Sequence, residues 1–169
     1  MIDTSSLLEW IKEKWERYTP VYIIPAFEKA VILRNGNIHR ILGGGIYFKL
    51  PYFDEINTAH TSITTLTTHP QSLTTKDGKA IIVRAIVKYN VEDVKIFLIE
   101  VMDAVDALSD ITQGVIKEVI TSRSWEEVVE MKDLIIKNRV IKEAETFGIK
   151  VHAVTVTDLV IVKNIRLIR

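Results

Sequence analysis

The sequence predicts an α+β fold: a β-rich, antiparallel N-terminal half, a helical half, and a strand that returns at the end. Three observations carry this. Residues 22–91 are rich in β-branched and aromatic side chains between turn signals, residues 92–148 switch to helical spacing, and residues 149–162 alternate again. At 169 residues the chain has length for one full-sized domain or two small ones sharing a core.

The first expected element is a helix. Ser6 and Glu9 form a capping box, in which hydroxyl and carboxylate satisfy the first free N–H groups. Leu7, Leu8, Ile11 and Trp15 then fall on one face, and Pro20 ends the helix. That face packs on the domain or on a neighbour, or it touches a membrane. Residues 9–17 carry three acidic and three basic side chains, so the cationic polar face of an interfacial helix is missing.

Residues 22–33 read as extended structure, and Asn35-Gly36 is a hairpin signal before a strand at 38–42. Gly43-Gly44-Gly45 opens a loop, and a short strand at 46–50 stops at Pro51. The Thr- and Ser-crowded stretch 58–75 suits a half-exposed strand, because threonine is β-branched. Asp77-Gly78 turns the chain into the clearest strand. There Ile81, Val83, Ala85, Val87, Tyr89 and Val91 share one face, while Arg84 and Lys88 take the other.

Helical spacing starts near residue 92 with a short helix to 101. Ala104, Ala107, Leu108, Ile111, Val115 and Val119 line a longer one. Ser124 and Glu127 form a second capping box, and Gly148 stands where a C-terminal glycine cap belongs. The expected organisation is an amphipathic helix over 1–20 and a domain over 21–162, β-rich to 91 and α/β from 92. Residues 163–169 then start a C-terminal helical extension.

Composition narrows the function. The 22 basic and 22 acidic residues cancel, so no basic surplus marks a nucleic-acid partner. Without cysteine the chain has no disulfide, thiolate metal site or S-acyl anchor. Asp3, Glu9 and Lys12 interrupt any signal-peptide core, and no run approaches the ~20 apolar residues of a spanning helix. A cytoplasmic location, peripheral to a membrane, is the expectation.

Catalytic signals are weak. His39, His60, His69 and His152 stand in no H-x-x-x-H frame, and no G-x-S-x-G elbow exposes a nucleophile. The triple glycine leads into a strand rather than a phosphate-binding helix. We therefore expect no catalytic residue, cofactor or metal. Asp103, Asp106 and Asp110 form an acidic stripe, and Lys132, Lys137, Arg139 and Lys142 make a later helix basic. Two readings fit: solvated or intramolecularly paired faces, or complementary contacts between copies, with Asp103, Asp106 and Asp110 meeting Lys137 and Lys142.

Four segments, taken in order, resemble the SPFH or band 7 family (stomatin, prohibitin, flotillin). They are Pro25-Ala26-Phe27-Glu28 through Asn35-Gly36, Leu42-Gly43-Gly44-Gly45 through Pro51, Thr74-Thr75-Lys76-Asp77-Gly78 before the long strand, and Phe147-Gly148-Ile149 before the last. Relatives usually carry Gly-Pro-Gly where this chain has Gly43-Gly44-Gly45, and Gly-Arg near Ser122-Arg123-Ser124. The resemblance implies a non-catalytic scaffold that forms homo-oligomers on a membrane. Such a scaffold organises lipids, or partners such as a membrane protease. The alternative is a soluble adaptor that binds one partner protein without membrane contact.

Overall fold

The computed structural model describes residues 9, 20–130 and 134–162. The expected N-terminal face of Leu7, Leu8, Ile11 and Trp15, Lys132, and the segment 163–169 lie outside the described residues. The α+β class holds, with an antiparallel β-rich N-terminal half, helices in the C-terminal half and a closing strand. The chain divides into two compact units at Thr61/Ser62. The change in composition near residue 91 is thus not the structural boundary. The long strand before it is the floor on which the later helices pack, so it belongs with them.

In the first unit β1 (Val21–Ile24) pairs antiparallel with β4 (Gly45–Phe48) as a two-stranded ribbon. β2 (Glu28–Arg34) lies between β3 (Asn37–Leu42) and β5 (Asp54–His60), antiparallel to both. The extended stretch expected over 22–33 is broken, because Pro25 opens a turn in which the Glu28 N–H donates to its carbonyl at 3.0 Å. Between β2 and β3, Asn35 (φ 50°) and Gly36 (φ 78°) both take the left-handed conformation that a two-residue hairpin turn demands. Ala30, Val31 and Ile32, three successive positions, are all fully buried, so both faces of β2 are covered.

A bidentate ion pair locks one end of this sheet. Arg34 Nε and Nη2 donate to the Asp54 carboxylate at 2.7 and 2.9 Å, and the Leu50 N–H donates to it at 2.8 Å. The Arg34 hydrogen bonds are the main cause that lowers the Asp54 carboxyl to about 2.

The second unit is built on β8 (Ala80–Val91). β9 (Ile149–Ile161) runs along one side of it, and β6 (Thr64–Thr67) and β7 (Gln71–Thr74) share the other, all antiparallel. The threonine-rich stretch is therefore parts of three strands rather than one, and Thr68 and Thr75 are buried. The expected alternation of β8 holds throughout. Its six odd-numbered side chains are buried, four of them at 0% exposure.

Across the buried face lie α1 (Ala104–Thr121), α2 (Trp125–Glu130) and α3 (Leu134–Ala144). Leu108, Ile116, Val119, Ile136 and Val140 join the β8 residues in one core. The short helix expected after residue 92 is a π-helical turn, Ile96–Glu100. The buried face of α1 is rotated from the apolar set read in the sequence. Ser109, Thr112, Ile116 and Ile120 are inside, whereas Ala107, Ile111 and Val115 are only half-buried. Thr112 can be buried because its hydroxyl donates to the Leu108 carbonyl at 2.7 Å.

The second capping box forms: the Ser124 N–H donates to Glu127 at 2.8 Å. Gly148 closes the turn before β9 at φ 70°, and its α-carbon lies so close to the Asp93 carbonyl that a Cβ would clash. The β7–β8 hairpin also anchors α2. Asp77 accepts from the Thr75 hydroxyl at 2.5 Å and from the Trp125 backbone N–H at 3.1 Å, and it meets Lys79 at 3.1 Å. The Thr75 bond leads the causes that hold Asp77 at about 2.

Two predictions follow from this packing. Val83→Asp places an unpaired charge at a fully buried site and should cost several kcal/mol, enough to unfold the second unit. Arg84→Asp, at a half-exposed position, replaces the 3.4 Å pair with Asp158 by two like charges facing across the strands and should cost only about 1 kcal/mol. Equal melting of the two variants would contradict the register. The second concerns acid. Asp54 and Asp77 have native pKa values of about 2, below the roughly 3.9 of an unfolded aspartate. Their stabilisation is complete above pH ~4 and is lost as pH falls toward 2. Urea melts should therefore show stability falling over that window, with a smaller fall in Asp54→Asn and Asp77→Asn.

Candidate functional site

The most unusual surface among the described residues is the outer face of the β1–β4 ribbon. Successive side chains on a strand point to opposite faces, and cross-strand partners share a face. Val21 pairs with Phe48 and Ile23 with Ile46, which puts these four on one side. Their exposures are 37%, 74%, 67% and 71%. The other side holds Ile24, which is buried, with Tyr22 and Tyr47 half-buried. Lys49 Nζ lies 5.7 Å from the Tyr22 ring centroid.

Both faces of the ribbon are apolar, and the unit covers only one. The chain continues from β4 into three more exposed apolar residues, Leu50 (50%), Tyr52 (73%) and Phe53 (58%). Tyr52 takes φ 70° immediately after Pro51. The surrounding charge is balanced: residues 20–61 carry Lys29, Arg34, Arg40 and Lys49 against Glu28, Asp54 and Glu55. Of these, Arg34 and Asp54 neutralise each other. Burying a Val, Ile or Phe side chain contributes about 1.5–3 kcal/mol, so removing this face from water is worth several kcal/mol.

The ribbon face was not among the site residues expected from sequence. Its alternation is hidden because Val21-Tyr22-Ile23-Ile24 and Ile46-Tyr47-Phe48 are apolar at every position, so period alone does not say which face is wet. The expected assembly residues lie in the second unit. Asp103 stands just before α1 in the left-handed conformation, and Asp106 and Asp110 are exposed on α1. On α3, Lys137 is half-buried and Lys142 exposed. Among the described residues no ion pair joins the acidic set to either lysine. The α1–α3 ion pair instead runs from Arg139 to Glu118 at 2.7 Å within one chain.

His39, His60 and His69 are exposed, and His60 stacks on Phe27 with ring centroids 5.5 Å apart. His152 Nε2 shares a 2.7 Å hydrogen bond with the Asn90 side chain. Among the described residues no group of three or more His, Cys, Asp or Glu could hold a metal.

The model of the SPFH domain / Band 7 family matches residues 22–167. An uncharacterized protein of Archaeoglobus fulgidus is 30% identical over 149 residues, covering 86% of this chain and 60% of that protein. A stomatin homolog of Pyrococcus horikoshii is 30% identical over 142 residues, 82% of this chain and 53% of the homolog. Stomatin-2 of Caenorhabditis elegans is 25% identical over 150 residues, 84% and 39% of the two chains. The chain thus spans 39–60% of the length of these relatives. Four family segments in order, an α+β fold with its closing strand, and a family match over most of its length establish that this chain belongs to the SPFH domain / Band 7 family.

Proposed function

We propose that the protein is a non-catalytic, self-assembling scaffold of the stomatin type that rests on a membrane surface through the outer face of its β1–β4 ribbon. The observation that supports this is the uncharged apolar strip of Val21, Ile23, Ile46 and Phe48, which is left in water by the unit that carries it. Its relatives include stomatin homologs, and no helix among the described residues is long and apolar enough to cross a membrane.

The depth of contact follows from the backbone. A two-stranded ribbon has open edges, and an open edge cannot enter hydrocarbon without leaving N–H and C=O groups unpaired. The side chains therefore enter while the backbone stays at the headgroup level, where an amphipathic aromatic ring such as that of Tyr52 is favoured. The near-neutral charge of the described part of this unit makes the binding hydrophobic rather than electrostatic. Partners organised by the scaffold, such as a membrane protease, belong to the same proposal. The competing reading, a soluble adaptor, needs the same face to meet one protein.

Flotation with neutral phosphatidylcholine vesicles tests this. Ile46→Glu plus Phe48→Glu should lower membrane partitioning at least tenfold with little change in melting temperature, since both side chains are largely exposed. Wild-type binding should change little when 20% anionic lipid is added. Undiminished binding by the double variant, or binding that appears only with anionic lipid, would overturn the proposal.

A further inference from the structure

The second unit carries a different apolar surface, an open groove of about 440 Å³ where the π-helical turn meets α1. Phe97, Val101, Met102 and Val105 line it together with Asp103 and Asp106. Met102 is 91% exposed, and Ile99 beside it is 36% exposed. The backbone presents Met102 in this way because Val101 is extended and Asp103 takes φ 52°, so the chain bulges outward between two helical segments. Asp103 and Asp106 make no ion pair among the described residues. The groove thus combines apolar side chains with two carboxylates.

The chain contains one segment of matching chemistry. Residues 163–169, Lys-Asn-Ile-Arg-Leu-Ile-Arg, carry three cations and three large aliphatic side chains and no acid. We propose that this segment of one copy occupies the Phe97–Val105 groove of a neighbouring copy. Ile165, Leu167 and Ile168 would fill the slot, and Lys163, Arg166 and Arg169 would meet Asp103 and Asp106.

Reach favours a contact between copies. The segment leaves β9 beside Ala80, where the Val162 N–H donates to the Ala80 carbonyl. The groove follows Val91 at the opposite end of β8, and that strand of 12 residues spans about 40 Å. α1 agrees. Arg123, just past its C-terminal end, accepts from the Lys76 N–H near Ala80. That puts the groove an 18-residue helix away, about 27 Å. Seven residues fully extended cover at most about 25 Å. They would arrive with none left to fill the slot of their own chain.

A groove at one end and its complement at the other make a heterologous contact, which propagates into rings or filaments rather than stopping at a pair. Arg139, already paired with Glu118, is withdrawn from the α3 surface that sequence alone offered as the complement. The inference rests on the self-assembling reading above and names its contact.

The lack of native cysteine allows a direct test on the full chain. Met102→Cys and Arg166→Cys are made in separate chains, mixed, and treated with a short bismaleimide. A cross-linked pair should form in the mixture well above the level in either variant alone. Adding Asp103→Lys and Asp106→Lys to the first chain should cut the yield at least fivefold and lower the assembly mass by light scattering. Lys137→Glu plus Lys142→Glu should leave the yield unchanged. Assemblies of full size without the 102–166 cross-link would overturn this contact and leave the scaffold reading standing. Monomers at every concentration would overturn both. Cross-linking within a single chain carrying both cysteines, diluted into cysteine-free protein, would overturn the assignment between copies.

Discussion

β8 holds the second unit together because a strand offers its two faces to different surroundings. Ile81, Val83, Ala85, Val87, Tyr89 and Val91 point one way into the core with α1 and α3, while Arg84, paired with Asp158, and the exposed Lys88 point the other way. The same constraint acts in the first unit with the opposite result. The β1–β4 ribbon also has two faces, but both are apolar, and its own unit covers only that of Ile24, Tyr22 and Tyr47. Period two thus gives a complete core in one place and an unfinished one in the other. The unfinished face leaves several kcal/mol of apolar burial unrealised.

The ties that fix these elements are local and polar. Arg34 and Asp54 close the end of the β2–β5 pair, and Asp54 also accepts the Leu50 N–H, which tethers the chain leaving the ribbon. In the second unit Asp77 binds its own turn and the Trp125 N–H, so one hairpin carboxylate sets the position at which α2 begins. Hydrogen-bonded carboxylates of this kind orient elements as well as stabilising them. Their positions at turns and strand ends keep them off the outer ribbon face.

Much of the fold was legible because several signals are both local and strong. Asn35-Gly36 demands positive φ at two positions, the Ser124–Glu127 box caps a helix with its own residues, and β8 alternates over its full length. What sequence missed depended on partners distant in the chain. The buried face of α1 turned on Thr112, which looks polar until its hydroxyl is seen to bond one turn back. Asp77 read only as a turn residue, because its bond to Trp125 spans 48 positions. The unit boundary fell at Thr61/Ser62 rather than near 91 because composition follows element type, whereas compactness follows contact. The ribbon face was missed because uniformly apolar strands carry no directional signal.

The central claim is that the outer ribbon face meets the lipid. Hydrogen exchange of the full chain with and without phosphatidylcholine vesicles tests it most directly, since it reads every segment at once. The account predicts slowed exchange at 21–24 and 45–53, with β8 and β9 unchanged. Slowing confined to other segments while 21–24 and 45–53 exchange as in solution would contradict it.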